Sequence, residues 1–199
     1  MAEVYKFKVK LCELEEKIWR DIEISSLSTV SKMAYTVLAA FGANGSHLFC
    51  VRRADETYEF MYDDFGDVDE DVIDPSTVKL SKLKLTVGDK ITIEYDYGAG
   101  WRFDMELISV TEMRRETGTH YPYITAGEGY GIIEDSFPGV LEDYIEQTDK
   151  TGALPMVYSS YEDKEKEWDY RRFDLKLTNM LLKYDIDSIK EAYEGEYED

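Results

Sequence analysis

Apolar and polar side chains alternate with period two along residues 91–110, ITIEYDYGAGWRFDMELISV, on both sides of a glycine-bearing turn. Ile91, Ile93, Tyr95 and Tyr97 share one face of the first arm, and Trp101, Phe103, Met105 and Leu107 share one face of the second. Such alternation predicts a β-hairpin with an aromatic and aliphatic wall. Gly98 and Gly100 bracket the loop, where a positive φ is expected and glycine adopts it at little steric cost. Glu94, Asp96, Arg102, Asp104 and Glu106 fall on the opposite face, either solvated or converging on a ligand. The same period predicts a strand pair over residues 4–11 and 18–24 and another over 47–53 and 57–62.

Between those pairs the period changes. Val30, Met33, Ala34, Val37, Leu38 and Phe41 recur at helical spacing, Ser28 or Thr29 stands where an N-cap belongs, and Gly42 ends the run. One amphipathic helix among several strands predicts an α+β fold, and a β-grasp (ubiquitin-like) sheet is the most economical way to lay that helix down. Residues 75–85 read as a short helical turn with Leu80 and Leu83 inward. Beyond Val110 the pattern weakens: residues 121–130 read as a loop, Pro138 starts a helix over 138–147, and 148–152 form a polar link. Trp168, Phe173, Leu175, Leu177, Met180, Leu181 and Leu182 then suggest a second helical segment packing back on the body. The expected organisation is one domain, with a β-grasp-like core at 1–112, a loop and helical extension at 113–192, and an acidic tail at 193–199 that frays.

The chain has 199 residues and carries 43 acids against 23 bases, a net charge of −20. That field opposes nonspecific affinity for phosphate backbones, which comes mainly from lysine and arginine, so direct nucleic-acid binding is not expected. The opening MAEVYKFKVK is charged and strand-like, unlike a secretory signal, and the longest apolar run is too short to span a bilayer. Cys12 and Cys50 lack CxxC spacing, which argues against a zinc ribbon or a disulfide scaffold and fits a reduced, cytoplasmic setting. Asp63, Asp64, Asp67, Asp69, Glu70, Asp71 and Asp74 form an acidic cluster. An EF-hand reading from Asp67 puts Val72 where that loop requires glycine and Val78 where it requires a bidentate glutamate, so a solvated loop is expected. No cofactor is implied.

The residues Tyr95-Asp96-Tyr97-Gly98-Ala99-Gly100-Trp101 resemble the YDFGDGW hairpin of the plasmid pRiA4b ORF-3-like family. The resemblance also takes in Phe7-Lys8-Val9, Ile18-Trp19-Arg20, Ala40-Phe41-Gly42, His47-Leu48, Gly127, Glu134-Asp135, and Phe173-Asp174-Leu175 with Asn179. It implies a β-grasp-type α+β domain. The chain departs from the family pattern at Ala34, Phe49 and Phe103, where histidine is usual, at Ala99 for aspartate, at Ala43 for tryptophan, and near Ile124 and Ser136 for cysteine. Alanine and phenylalanine neither ligate metals nor attack substrates, so an activity built on those groups would be lost or altered in this chain.

The candidate pocket that remains is His47, Tyr95, Asp96, Tyr97, Trp101, Glu134 and Asp135, with Gly98 and Gly100 as turn residues. Asp96 is expected to accept backbone N–H groups of its own loop. Trp101 and Tyr97 are expected to pack the core or the hairpin. His47 and Asp96 are the candidate metal ligands. Three readings follow: a non-catalytic binding or adaptor domain that recognises a protein partner through its sheet, its 16 tyrosines and its acidic exterior; a divergent metal-dependent enzyme using His47, Asp96, Glu134 and Asp135; and a mobile-element accessory factor. The missing histidines and cysteines favour the first.

Overall fold

The computed structural model describes residues 2–61, 71–113, 120–159 and 164–195. In chain order its elements are β1 (Glu3–Leu11), β2 (Trp19–Ser25), α1 (Val30–Ala40), β3 (Phe49–Arg53), β4 (Glu56–Glu59), β5 (Val72–Ile73), a 3₁₀ turn (Leu80–Lys82), β6 (Lys90–Tyr95), β7 (Trp101–Glu112), β8 (Tyr123–Glu128), α2 (Pro138–Thr151), β9 (Met156–Ser159), β10 (Lys164–Glu167) and α3 (Leu175–Glu194). The main sheet runs in the order β5-β4-β3-β6-β7-β1-β2-β8, and β9 pairs with β10 alone. Every pairing is antiparallel except the short β4–β5 contact. The fold is thus a mixed α+β one, with a broad sheet and three helices.

The hairpin alternation holds as expected: Ile91, Ile93, Tyr95, Trp101, Phe103, Met105 and Leu107 are all buried. Burying each such side chain contributes about 1.5–3 kcal/mol, so a one-residue slip, which would turn the whole wall to solvent, is strongly disfavoured. Tyr97 leaves the pattern. It is 47 % exposed, because Asp96 takes a φ of +52° and ends the strand alternation one residue earlier. The positive φ of the turn lies at Gly100 (+79°) and Asp96, not at Gly98.

Thr29 is the N-cap of α1, accepting from the Lys32 N–H at 3.1 Å. Every residue of that helix except Lys32 is buried, because it has neighbours on two sides. Tyr35 and Phe41 reach the sheet at Phe49 (5.8 Å) and Phe103 (4.9 Å), and α3 covers the other side, stacking Tyr193 on Tyr35 at 5.6 Å. Tyr193 therefore belongs to the packed end of α3 rather than to a fraying tail; residues 196–199 lie outside the described residues. So do Asp63, Asp64, Asp67, Asp69 and Glu70 of the acidic cluster.

One polar residue sits on the inner face. Arg20, in phase with Ile18, Ile22 and Ile24, is 0 % exposed. Its Nε donates to Ala40 O at 3.0 Å, Nη1 to Trp19 O and Glu128 O at 2.8 and 2.6 Å, and Nη2 to Gly129 O and Tyr130 O at 2.8 and 3.0 Å. The guanidinium lies between the rings of Phe173 and Phe41, 3.9 and 4.9 Å from their centres. Burial pushes its pKa down to about 9, so it remains a cation at neutral pH. Five carbonyl dipoles and two π faces take the place of a carboxylate.

This residue explains the main departure from the sequence reading. Residues 121–130 contain a strand, β8, whose Gly127 is required by contact rather than by a turn. A Cβ at Gly127 would stand 2.6 Å from the Phe173 ring and 2.8 Å from the Arg20 side chain. Beyond β2, the outer edge of β8 is closed at Ile124 by Asn179, which accepts from its N–H at 2.9 Å and donates to its C=O at 2.8 Å. An exposed edge would otherwise offer those groups to another chain.

Other corrections are local. Helix α2 begins at Pro138 as expected but continues through the anticipated polar link to Thr151, ending at Gly152 with φ +74°. Trp168 follows the unanticipated β9–β10 hairpin, and α3 begins only after Asp174, which caps it by accepting from Leu177 N–H at 2.9 Å. Leu80 and Leu83 point inward as expected. Among the described residues no helix is long and apolar enough to cross a membrane.

Candidate functional site

The β6–β7 turn is built by Asp96. Its Oδ1 accepts from Gly98 N–H and Ala99 N–H, both at 3.1 Å, and its own N–H donates to Leu48 O at 2.9 Å. The turn is thereby tied to the segment leading into β3. That segment carries His47, two residues before the strand in which it was expected. Its backbone carbonyl accepts from the Tyr193 hydroxyl, so the end of α3 holds it from the other side.

The remaining acids arrive on the segment after β8. Tyr130 N–H donates to Tyr170 O at 2.7 Å and Ile132 N–H to Phe41 O at 2.9 Å, which presses this segment against the end of α1. Glu134 Oε1 then accepts from Asn44 N–H at 2.6 Å and from the Tyr95 hydroxyl at 2.8 Å. Asp135 Oδ1 lies 3.1 Å from His47 Nε2, and Asp96 Oδ2 lies 3.6 Å from the same nitrogen. The His47 ring stands edge-on to Tyr95, with centroids 5.8 Å apart.

Five of the seven sequence-predicted residues, His47, Tyr95, Asp96, Glu134 and Asp135, are thus brought together from three separate segments. Trp101 and Tyr97 are not part of that cluster. Trp101 lies across from Tyr95 in the ladder, 1 % exposed, and its Nε1 has no partner among the described residues. Tyr97 turns to the open face of the sheet, where its hydroxyl donates to Glu59 Oε1 at 2.7 Å. Among the described residues no group of three or more His, Cys, Asp or Glu side chains is disposed to hold a metal ion.

Beside the cluster, around the hairpin end, an open cavity of about 480 Å³ is lined by Cys12, Arg52, Glu59, Glu94, Tyr97 and Arg102, among others. Within it Arg52 Nε lies 3.2 Å from Glu94 Oε2. Arg102 Nε approaches Cys12 Sγ at 3.2 Å. Cys12 is buried, and burial pushes its thiol up to about 11. Burial likewise raises the Cys50 thiol. Both stay protonated near neutral pH, and the thiolate is the reactive form. Neither cysteine is therefore expected to react with an aromatic disulfide reagent at about pH 8 until the protein is unfolded in denaturant, when both should titrate.

Burial also raises the pKa of Glu134, against the lowering effect of Asn44 N–H, Tyr95 and His47. The folded chain then holds that proton to a higher pH than the unfolded chain. The group's contribution to stability is fully present below its ordinary value of 4.5 and is lost as pH rises through the raised value. Glu134→Gln keeps an acceptor for Asn44 and Tyr95 without a charge. The stability of the variant relative to the wild type is expected to grow as pH rises from about 4 to about 7, as read from urea midpoints. A constant difference would contradict the assignment.

Sequence reasoning missed Arg20 as the residue that seats the segment after β8, although its phase with Ile18, Ile22 and Ile24 marked it. The departures from the family pattern at Ala34, Phe49 and Phe103 all fall in the buried core. In this chain those positions carry packing: Phe49 meets Tyr35, Phe60 and Tyr193 edge-on, and Phe103 meets Phe41.

The family described as plasmid pRiA4b ORF-3-like protein matches residues 3–180. The uncharacterized protein y4hQ of Sinorhizobium fredii is 26 % identical over 136 residues, which is 68 % of this chain and 67 % of y4hQ. A crystal structure of a protein of unknown function, MM3350 from Methanosarcina mazei Go1, has the same fold, with a TM-score of 0.71 at 21 % identity over 88 % of this chain and 96 % of that one.

Proposed function

Because the chain belongs to the plasmid pRiA4b ORF-3-like family, we propose a function for it from its own site: a non-catalytic binding domain that recognises a protein partner at the hairpin end of the sheet. In this reading residues 1–112 are a β-grasp-type core, and residues 113–192 are an extension that completes the recognition surface. One observation carries the proposal. The polar groups of the cluster are engaged in fastening loops to one another, Asp96 within its turn, Glu134 on Asn44 and Tyr95, and Asp135 on His47. A base or nucleophile must be available to a substrate, whereas a recognition surface is improved by being held rigid.

The surface so fixed presents Tyr97 and Leu48, 47 % and 38 % exposed, beside carboxylates. Tyrosine offers large contact area at low conformational cost. The net charge of −20 favours a partner with a basic contact surface and opposes direct contact with nucleic acid, so a mobile-element role would run through a protein. Two free cysteines, Cys12 and Cys50, support a cytoplasmic setting.

The test is capture from extract of the source cells by wild type and by Tyr97→Ala, with matched melting temperatures. A protein retained by the first and lost by the second is the expected result; identical capture profiles would overturn the reading. A metal-dependent enzyme is the second reading, favoured by the two carboxylates within 3.6 Å of His47 Nε2. Stoichiometric metal in protein purified without chelators, absent from His47→Ala, would put it first.

A further inference from the structure

A second cavity, of about 460 Å³, opens on the far side of Glu134 and Asp135, where the segment after β8 meets α2 and the β9–β10 hairpin. Four aromatic residues line it, Tyr130, Tyr144, Tyr158 and Trp168. Trp168 is 3 % exposed, and the rings of Tyr130 and Tyr144 stand 6.2 and 6.3 Å from it. Tyr130 and Tyr158 keep 41 % and 58 % of their surface accessible. The walls are fixed from behind, since Trp168 N–H donates to Pro155 O at 2.9 Å and Tyr130 N–H to Tyr170 O at 2.7 Å.

The polar groups of this cavity are unbalanced. Among the described residues, Glu134 and Asp135 line it, against Lys166 as the one basic side chain. Among the described residues, Glu134 Oε2, Ser136 Oγ and Trp168 Nε1 are buried without hydrogen-bond partners, three such atoms on residues of a single cavity wall. All three are closed to solvent, so they stand behind the wall of the cavity rather than as contacts for a ligand. Aromatic rings beside carboxylates attract one kind of group in particular: the ring quadrupole presents negative charge at its face, and a cation is drawn to both. A hydrated anion would be repelled by the same walls. The size is within the range of small-molecule sites.

We propose that this cavity binds a small organic cation of the alkylammonium class, held by the rings of Tyr130, Tyr144 and Tyr158 over the buried Trp168, with the carboxylate of Asp135 supplying the opposite charge. The site is distinct from the hairpin cavity and does not depend on a protein partner being found.

Calorimetric titration of the full chain with choline, and with its neutral isostere 3,3-dimethyl-1-butanol, tests the assignment. Choline is expected to bind at a single site, at least tenfold more tightly than the isostere. Tyr158→Ala and Asp135→Asn should each weaken choline binding at least fivefold with the melting temperature preserved. Asp187→Asn, on the exposed face of α3, should leave it unchanged. Equal binding of choline and its isostere would overturn the proposal, as would the absence of saturable binding. So would choline binding that weakens equally in Asp187→Asn, which is the behaviour of diffuse attraction to an acidic protein.

Discussion

Arg20→Met is expected to lower the unfolding free energy by about 4 kcal/mol or more, since burying an unpaired polar group costs about 1–3 kcal/mol and five carbonyl oxygens lose their donor at once. Methionine matches the aliphatic stem but brings no N–H. Some of the carbonyls will recruit water, which is why the expected loss is smaller than the sum. With a urea slope of about 2 kcal/mol/M the midpoint should fall by about 2 M. Arg20→Lys separates charge from geometry. A lysine restores the cation and three donors, but a point charge cannot spread over carbonyls of β2, the end of α1 and the segment after β8 together. It is expected to recover less than half of the loss. Full recovery by lysine would mean that the charge between the two rings matters and the hydrogen bonds do not. A loss below about 1 kcal/mol for Arg20→Met would mean that the segment after β8 is seated by apolar contacts alone.

The same residue measures what the sequence made legible. The hairpin could be read because its alternation is local: each side chain of the wall answers to its own strand. Arg20 was visible only as an arginine in phase with three isoleucines, and periodicity treats such a residue as an irregularity. Its meaning depends on Phe41 and Phe173, which come from distant parts of the chain. Strand β8 was hidden for the same reason. Thr125, Ala126 and Gly127 look like turn chemistry until the Phe173 ring is known to lie against Gly127. Tyr193 was lost among acids, although Leu182, Ile186, Ile189 and Tyr193 share the buried side of α3.

The candidate site divides along similar lines. The bonds of Asp96 to its own turn were readable, because a carboxylate accepting from nearby N–H groups is local chemistry. The meeting of His47 with Asp135 required two long segments to be fastened at separate points, and no spacing encodes that. Tyr97 was misplaced by a single dihedral, the positive φ of Asp96, which stops the alternation at Tyr95. The aromatic cavity left no periodic signal at all, since its rings come from the segment after β8, from α2, from β9 and from the residue after β10. Much of the resemblance to the family, Arg20, Phe41, Gly127, Phe173 and Asn179, turns out to hold this architecture together.

Gly131→Ala should separate the site from the sheet. Gly131 has φ +131°, and a Cβ there would stand 2.2 Å from the carbonyl oxygen of Phe41 and 2.8 Å from its carbonyl carbon. Neither atom can move freely, because the Phe41 carbonyl accepts from Ile132 N–H at 2.9 Å and its ring packs against Phe103 and the Arg20 guanidinium. Gly42 supplies the control. It too has a positive φ, +80°, but nothing lies within 4 Å of an added Cβ. Gly42→Ala should therefore show only the backbone cost, about 1–2 kcal/mol, with the site intact. Gly131→Ala adds a collision with backbone and should cost about 3–4 kcal/mol. The collision forces residues 129–135 away from α1, so Glu134 should leave Asn44 and Tyr95, and Asp135 should leave His47. The imidazole resonances of His47 report that directly: a shift in Gly131→Ala and none in Gly42→Ala is expected. Matching stability losses in the two variants, with His47 unmoved in both, would mean that the segment adapts to the extra methyl and that the clamp on Phe41 does not position the site.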